Sequence, residues 1–257
     1  MRVTLFDTPV DILSRSETIQ AAVTAMETRV RCQHVALNVA KLVNARTDAE
    51  LDRDVRDSDI VGIDGMGIAY ALRLMGHRVD ERVAGVDLFE DLMVVCAQKG
   101  FRPYLLGATQ QVLDGTVAEL KRRHPAIGFA GTQHGYFKPE DDAAIAEAVR
   151  ASGADCLFIA MPTPRKERFM RTYRDVMNVP FLMGVGGTFD VVAGLVERAP
   201  QIYQKLGMEW LYRMMQEPRR MFWRYARTNT IFLGLILPSL LRRAVGLKPA
   251  RISAPSA

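Results

Sequence analysis

The chain has 257 residues, 49% of them hydrophobic and 25% charged, which suits one large folded domain or a domain with an appendage and excludes a largely disordered protein. Its net charge of +5 is unevenly distributed, because residues 205–257 contain ten Lys or Arg against two acidic residues, a net charge of +8, which leaves −3 for residues 1–204. The basic character therefore belongs to the C-terminal segment.

The N-terminal residues contain Asp7 and Asp11 where a signal peptide would need an unbroken apolar stretch, so we expect a protein that is not exported. Cys32, Cys96 and Cys156 are far apart in apolar surroundings and lack the spacing of a metal site, so they predict buried, reduced thiols in a cytosolic protein. The four histidines share no ligand spacing either. We expect neither a metal ion nor another cofactor.

From residue 35 onward, short apolar segments alternate with segments of helical length. The predicted strands are Val35–Leu37, Ile60–Ile63, Pro103–Leu106, Ile127–Ala130, Cys156–Ala160 and Phe181–Val185. Between them, apolar residues repeat at helical spacing in Leu88–Val95 and in Leu113–Leu120, and these helices end near Gly100 and Pro125. The alternation predicts a doubly wound α/β domain, in which helices cover both faces of a mostly parallel sheet.

Polar residues and glycines follow the predicted strands at their carboxyl ends. These residues are Asn38, Asp64, Gly65, Gly107, Gly135, Tyr136, Gly186 and Gly187. Doubly wound sheets bind their ligands at this edge. We therefore predict one ligand site, built from several of these turns.

Asp64 lies between a predicted strand and the flexible sequence Gly65-Met66-Gly67. A carboxylate at the sheet edge, next to flexible backbone, suits a general base. The same position also suits a cap for the helix that begins near Gly67, and the sequence leaves both interpretations open.

Gly186 and Gly187 follow the predicted strand Phe181–Val185, and Thr188 is placed to cap the next helix. The backbone amides of such a turn can approach a phosphate that a β-carbon would exclude. A glycine pair after a strand is also found in ordinary turns, so an anion site is one of two interpretations.

Cations lie at two further positions. Arg82 precedes a helix that Asp87 would cap, and its guanidinium either neutralises a phosphate or is solvated. Arg165, Lys166 and Arg168 fall on the first turn of a helix, where cations oppose the helix dipole. A nearby anion would explain these three residues better than helix stability does.

Two Asp-x-Asp patterns, Asp52–Asp54 and Asp57–Asp59, resemble the metal-binding signature of many sugar-nucleotide enzymes. Both precede the strand Ile60–Ile63, in a segment typical of a solvated helix and turn. We do not expect them to bind a metal ion.

Past Ala199-Pro200 aromatic and basic residues interleave, and we place a domain boundary there, between residues 1–200 and residues 201–257. One interpretation is a helical pair that packs its aromatic residues on the main domain and leaves its arginines in water. Another is a membrane-interface surface with arginines at phosphate depth, followed by the apolar run Ile231–Leu241, which is too short to span a bilayer and contains Pro238. The mildly acidic main domain and the apolar flank disfavour nucleic-acid binding. We expect the final residues 248–257 to fray.

Several segments together resemble the WecG/TagA/CpsF family of bacterial glycosyltransferases. Within about residues 34–228 they are DGMGIAYALRLMG, ERVAGVDLFEDL, LLGA, GYF, the PxxE-bearing loop, GVGGTFDVVAG and, most specific of all, RAPxxYQKLGMEWLYRMMQEPRR. The resemblance implies a Rossmann-like core with a helical, membrane-docking C-terminal appendage. It also implies transfer of a sugar, with inversion, from a nucleotide donor, usually a UDP-sugar, to a lipid-diphosphate-linked sugar at the inner face of the cytoplasmic membrane.

The resemblance also implies roles for individual residues. It places the catalytic aspartate at Asp64, with Asn38 and Arg82 as further catalytic residues. The implied substrate-binding residues are Gly65, Gly107, Gly135, Tyr136, Lys166, Gly186, Gly187 and Asp190. The implied contacts of the acceptor diphosphate are Arg213, Arg219, Arg220 and Arg224.

Two positions depart from the family pattern: Ala36, where the family often has Thr, and Lys166, where it has an amide. A cation in place of the amide strengthens contact with a phosphate or a carboxylate, and the pattern is more similar to members that add glucose to exopolysaccharide lipid intermediates.

We therefore expect a metal-independent, inverting hexosyltransferase at the inner leaflet of the cytoplasmic membrane. Its expected partners are a UDP-sugar and a polyprenyl-diphosphate-linked sugar, with no nucleic acid and with a homo-oligomer left open. The alternatives are transfer of a UDP-N-acetylmannosamine-type or uronic-acid sugar, or a non-catalytic nucleotide-binding protein at the membrane.

Overall fold

The computed structural model describes residues 1–216 and 218–244, without the side chains of residues 205, 220, 221 and 242–244. The segment expected to fray, residues 248–257, lies outside the described residues. The described chain forms a mixed α/β fold around an eight-stranded, mostly parallel sheet, which confirms the predicted fold class.

The strands cross the sheet in the order β1-β2-β4-β3-β8-β7-β5-β6, and among the described residues the β1–β2 pair alone is antiparallel. They are β1 (Arg2–Leu5), β2 (Thr8–Asp11), β3 (Cys32–Leu37), β4 (Ile60–Ile63), β5 (Pro103–Gly107), β6 (Gly131–Gln133), β7 (Cys156–Ala160) and β8 (Phe181–Gly184). In the register, β3 lies between β4 and β8, with Ala36 opposite Gly62 and His34 opposite Met183.

Helices make the connections between the parallel strands. They are α1 (Arg15–Thr28), α2 (Val39–Ala45), α3 (Ala49–Arg56), α4 (Met66–Leu74), α5 (Gly85–Lys99), α6 (Gln110–Arg123), α7 (Asp142–Ala151), α8 (Arg165–Met177), α9 (Thr188–Val192), α10 (Gln201–Lys205), α11 (Glu209–Gln216) and α12 (Pro218–Ala244), with a short 3-10 helix at Pro139–Asp141. The two helices predicted from apolar spacing are α5 and α6. As predicted, α5 ends at Gly100, in the left-handed conformation that favours glycine.

The strand predicted at Ile127–Ala130 is wrong, because the strand in this region is β6, at Gly131–Gln133. The amide of Ile127 donates to the carbonyl of His124 in a turn, and its side chain is buried. The apolar residues thus mark a buried turn, and the ladder with β5 starts only at Gly131.

The β1–β2 hairpin was not predicted. Its two-residue loop consists of Phe6 and Asp7, both with positive φ, at 48° and 68°. Tight hairpin loops need this conformation and are usually recognised by Asn-Gly or Asp-Gly, neither of which is present here. The unusual loop residues therefore concealed the hairpin.

Two apolar clusters lie on opposite faces of the sheet, since alternate residues of the central strands belong to different clusters. The first face is covered by α2, α3, α4, α7, α8 and α12, and the second by α1, α5, α6 and α9. The helix after β3 therefore lies on one face and the helix after β8 on the other, although β3 and β8 are neighbours.

The long helix α12 packs one side on the main domain and exposes another. The helix packs on α2 and α4, and Thr228, Phe232 and Ser239 are buried. The ring centroid of Phe232 lies 6.3 Å from that of Phe6. The exposed hydrophobic side chains of this helix are Phe222, Trp223, Ile231, Leu233, Leu237, Leu240 and Leu241. None of the helices in residues 1–216 and 218–244 is both long and apolar enough to cross a membrane. The division at residue 200 stays a prediction.

Candidate active site

The carboxyl edge of the sheet opens between β3 and β8. The connections after these neighbouring strands diverge, α2 to the first face and α9 to the second, and we call the space between the two strand ends the crevice. A divergence of this kind marks the ligand site of open α/β sheets. Because β4 lies next to β3, Asp64 and Asn38 lie on the same side of the crevice.

Asp64 is a half-buried carboxylate fixed through one of its oxygens. Its Oδ1 accepts a hydrogen bond from the amide of Gly85 at 2.9 Å, whereas Oδ2 has no hydrogen-bond partner among the described residues. The helix α4 begins at Met66 with Gly65 as its N-cap and no side-chain cap. The capping interpretation of Asp64 is therefore wrong, and the carboxylate has one oxygen open to accept a proton.

Asn38 lies beside Asp64 at the end of the neighbouring strand. It is the N-cap of α2, and its Oδ1 accepts a hydrogen bond from the amide of Lys41 at 3.0 Å. A β-carbon on Gly65 would lie 3.2 Å from Cβ of Asn38, so the ends of β3 and β4 are in close contact. The sequence-predicted pair is brought together.

Arg82 lies at the same rim and contacts two different segments. Its Nη1 donates to the backbone carbonyl of Asp64 at 3.1 Å and lies 2.7 Å from Oε2 of Glu209, and its side chain is only 13% exposed. The predicted cap at Asp87 is wrong, because Ala84 is the N-cap of α5 and Asp87 lies in its first turn.

The glycine turn after β8 forms the opposite side of the crevice. Gly186 has a φ of +56°, a conformation that favours glycine. A β-carbon on Gly187 would lie 3.5 Å from Nη2 of Arg213 and 3.6 Å from Oδ2 of Asp190, so both charged side chains flank this turn. The predicted cap at Thr188 is wrong: Gly187 is the N-cap of α9, and the hydroxyl of Thr188 donates to a backbone carbonyl at the strand end.

Between the ends of β3 and β8, two buried lysines share one carboxylate. Lys41 Nζ and Lys166 Nζ lie 2.8 and 2.9 Å from Oε1 of Glu167, and the exposed fractions of the three side chains are 6%, 7% and 0%. Burial lowers the pKa of Lys166 to about 8, with Lys41 adding to the shift and Glu167 opposing it. Burial acts to raise the pKa of Glu167, but Lys41 and Lys166 outweigh it and lower it to about 2. This lysine–glutamate cluster (Lys41, Lys166 and Glu167) carries a net charge of +1.

The other cations on the first turn of α8 have carboxylate partners within the chain. Arg165 lies 2.7 Å from Oδ1 of Asp142, and Arg168 lies 2.6 Å from Oε2 of Glu50. The anions that the helix dipole argument requires are therefore protein carboxylates.

Gly107, Gly135 and Tyr136 lie at the same edge but farther along it. Gly107 is the last residue of β5, and Gly135 and Tyr136 follow β6. The strand β5 is four strands from β4, or about 19 Å at a strand spacing of about 4.8 Å. A β-carbon on Gly107 would lie 2.4 Å from the carbonyl oxygen of Ala160, so only glycine fits there. Tyr136 is 76% exposed. These residues are not beside Asp64.

The arginines of the C-terminal segment after residue 200, which we call the tail, lie in different surroundings. Arg213 reaches the glycine turn, whereas Arg219 and Arg224 are exposed on α12. Arg224 stacks over the ring of Tyr225 at 5.3 Å and contributes to the lowered pKa of Lys166, so it lies on the side of the lysine–glutamate cluster. The side chain of Arg220 lies outside the described part of the chain.

The Asp-x-Asp residues do not gather into one site. Asp57 and Asp59 precede β4 and so lie at the opposite, amino edge of the sheet, while Asp52 and Asp54 form ion pairs with Arg56 and Arg171. Among residues 1–216 and 218–244, no group of three or more His, Cys, Asp or Glu is placed to hold a metal ion.

A model of the glycosyl transferase WecG/TagA/CpsF family matches residues 3–246. The chain belongs to this family. Membership of the WecG/TagA/CpsF family confirms the resemblance noted in the sequence and supports glycosyl transfer by this chain.

Three residues near the site of this WecG/TagA/CpsF transferase were not predicted. Lys41 resembles an ordinary solvated lysine in sequence, and only the approach of α2 to α8 buries it. Glu209 is one of two acids in a strongly basic segment, a signal that could have been noticed. His34 is buried with both ring nitrogens unpaired among the described residues, and burial, with Lys41 adding to the effect, lowers its pKa to about 4.

Proposed function

We propose that the chain is an inverting hexosyltransferase that moves a hexose, with glucose as the first candidate, from a UDP-sugar to a polyprenyl-diphosphate-linked sugar. The acceptor hydroxyl oxygen attacks the anomeric carbon, and the bond between that carbon and the diphosphate oxygen breaks. UDP leaves with the bonding electrons, and the hydroxyl proton goes to Asp64. The observation that carries the proposal is the Asp64 carboxylate, held by the amide of Gly85 at the crevice with Oδ2 open.

The neighbours of Asp64 support this assignment. Asn38 is fixed as the cap of α2, next to Asp64, so its side chain is preorganised to contact a sugar hydroxyl without losing further rotational freedom. Arg82 holds the backbone of Asp64. We therefore assign these three residues to the reacting end of the site.

Positive charge at the glycine turn and between the ends of β3 and β8 suits the departing UDP. Arg213 lies at the glycine turn with Asp190, and the lysine–glutamate cluster adds a buried charge of +1. Fixed cations stabilise negative charge that develops on a leaving group, the role that a divalent metal has in other transferases. Because Lys166 is buried, we assign it this electrostatic role and not a direct contact with substrate.

The exposed apolar side of α12 supports attachment to the inner leaflet. Trp223, Leu233 and Leu237 are 77%, 59% and 52% exposed, and Arg219 and Arg227 lie on the same helix. A helix with an outward apolar side and cations binds the interface of anionic lipids. The polyprenyl acceptor enters the crevice from that surface.

The test of the catalytic proposal is Asp64→Asn. We expect UDP release from UDP-glucose, with vesicles that carry a polyprenyl-diphosphate-linked sugar, to fall by about 10²–10⁴-fold, while calorimetry shows unchanged UDP affinity. The matched control is Asp91→Asn, which removes another partly buried carboxylate, paired with Arg15 on α1. Equal turnover of the two variants would exclude Asp64 as the base.

Calorimetry with UDP, UDP-glucose, UDP-glucuronate and UDP-N-acetylmannosamine identifies the donor. The proposal expects UDP-glucose to bind most tightly. UDP binding without donor consumption on any lipid acceptor would favour a non-catalytic nucleotide-binding protein instead.

Attachment is tested by sedimentation with phosphatidylglycerol vesicles. We expect Leu233→Glu combined with Leu237→Glu to release the protein, since both side chains lie on the exposed side of α12. Leu195→Glu is the control, because Leu195 is 60% exposed outside this helix. Full retention of the double variant on vesicles would contradict attachment through α12.

A further inference from the structure

The tail reaches the proposed catalytic base through one ion pair. Glu209, the first residue of α11, lies 2.7 Å from Arg82, and the side chains are 28% and 13% exposed. Partial burial reduces solvent screening of the pair. The nearby Arg198 is bound to Asp87 at 2.6 Å, so the close partner of Glu209 is Arg82.

Residues 82–85 hold the end of β4 by three hydrogen bonds. The amide of Val83 donates to the carbonyl of Ile63 at 2.8 Å, Arg82 donates to the carbonyl of Asp64 at 3.1 Å, and the amide of Gly85 donates to Asp64 Oδ1 at 2.9 Å. Two of the three donors are backbone amides. The third is the side chain that also binds the tail.

We infer that Glu209 is a positioning residue for glycosyl transfer: through Arg82 it fixes the segment 82–85 and thereby the Asp64 carboxylate. The inference rests on the proposed role of Asp64. An arginine with several rotatable bonds is oriented when carboxylate and carbonyl acceptors bind the same guanidinium nitrogen. Docking of residue 209 therefore adds to the hold of the two backbone amides on the base, through the third donor alone.

The first test needs no turnover. We expect hydrogen exchange of the Gly85 amide, whose acceptor is Asp64, to become at least several-fold faster in Glu209→Gln than in the unaltered protein. The control is Glu90→Gln, which removes a comparable partly buried pair with Arg123, on α6. Unchanged exchange at Gly85 in Glu209→Gln would overturn the inference.

The second test measures kcat and UDP affinity. We expect Glu209→Gln to lower kcat by about 10- to 100-fold, the range for a misplaced catalytic group, with unchanged UDP affinity by calorimetry. In an Arg82→Gln background the same substitution should have no further effect, because Glu209 acts through Arg82. Losses that multiply in the double variant, or a weakened UDP affinity, would contradict the positioning role.

The two proposals fail differently. If the unaltered protein transfers no sugar, the proposed function is wrong, while exchange at Gly85 still decides whether Glu209 holds the segment. If the unaltered protein is active and Glu209→Gln matches it, the positioning role alone is wrong.

Discussion

Two groups of cations near the crevice have opposite surroundings. Lys41 and Lys166 are buried with Glu167 between β3 and β8, whereas Arg219 and Arg227 of α12 are exposed. The buried lysines are part of the core, because their charge has lost most of its hydration and depends on one carboxylate. The exposed arginines keep their water and are free to meet lipid phosphates. Position in the fold, and not charge, separates a determinant of stability from the proposed docking surface.

The largest loss of stability should come from removing the charge of Glu167, the carboxylate that both buried lysines of the cluster contact. Glu167→Gln leaves two buried lysines without a counter-charge, so we expect the free energy of unfolding to fall by about 3–5 kcal/mol. Urea denaturation of this variant measures the change. Glu90→Gln breaks a pair with Arg123 in which both side chains are about one third exposed, so it should lose less than about 1 kcal/mol. Similar losses in the two variants would show that the cluster is not a special element of the core.

A buried histidine extends the comparison to pH. The pKa of His34 is lowered to about 4 by burial and by Lys41, against an ordinary value near 6.5. Between these values the unfolded chain binds the proton and the folded chain does not, so stability falls as the pH drops from about 6.5 to 4, by about 3 kcal/mol in total. Denaturation of the unaltered protein and of His34→Gln across this range measures it. The free energy of unfolding of His34→Gln should fall less over this pH range than that of the unaltered protein. Equal pH dependence of the two proteins would contradict the prediction.

Removing the positive charge of Lys166 should raise the free energy of unfolding, by less than Glu167→Gln lowers it. Lys166→Met leaves Glu167 paired with Lys41, so we expect a gain in stability of about 1 kcal/mol at pH 7. The pKa of Lys166 is about 8 when folded and near 10.5 when unfolded, so the unfolded chain binds more protons between these values and the unaltered protein gains stability as the pH rises. Over this range the unaltered protein gains about 3 kcal/mol, so the advantage of the variant should shrink and then reverse between pH 8 and 10.5. A constant advantage would indicate that the charge of Lys166 is not its cause. Reduced turnover with the gain in stability would support the electrostatic role.

The smallest change in the free energy of unfolding should come from removing the exposed arginines of α12. Arg219→Ala and Arg227→Ala should change the free energy of unfolding by no more than about 0.5 kcal/mol. Each should weaken binding to phosphatidylglycerol vesicles by about 1 kcal/mol, roughly fivefold, and the difference should disappear at high salt. A large loss of stability in either variant, or vesicle binding that neither substitution changes, would contradict the distinction between the buried lysines and the exposed arginines.

The strand-end positions of the candidate site residues could be predicted from the sequence because they depend on local order. The strands before Asn38, Asp64 and Gly186 are short apolar runs, and parallel topology gathers their carboxyl ends at one edge. The two helix caps predicted at Thr188 and Asp87 are wrong, because the N-caps are Gly187 and Ala84. These errors show the limit of this reasoning. Capping depends on backbone angles at single residues, which composition does not specify.

What the sequence by itself determined is the α/β alternation, the strand-end position of Asp64 and Asn38, and the membership of the WecG/TagA/CpsF family that its motifs indicated. Only the tertiary structure decided which charges are buried and which residues meet across long separations. Lys41 and Glu167 are 126 positions apart and Arg82 and Glu209 are 127 apart, yet each pair is in contact, at 2.8 and 2.7 Å. Periodicity reports on neighbours within a helix or strand. The pairing of distant side chains follows from how the connections cross the two faces of the sheet, which no local pattern encodes.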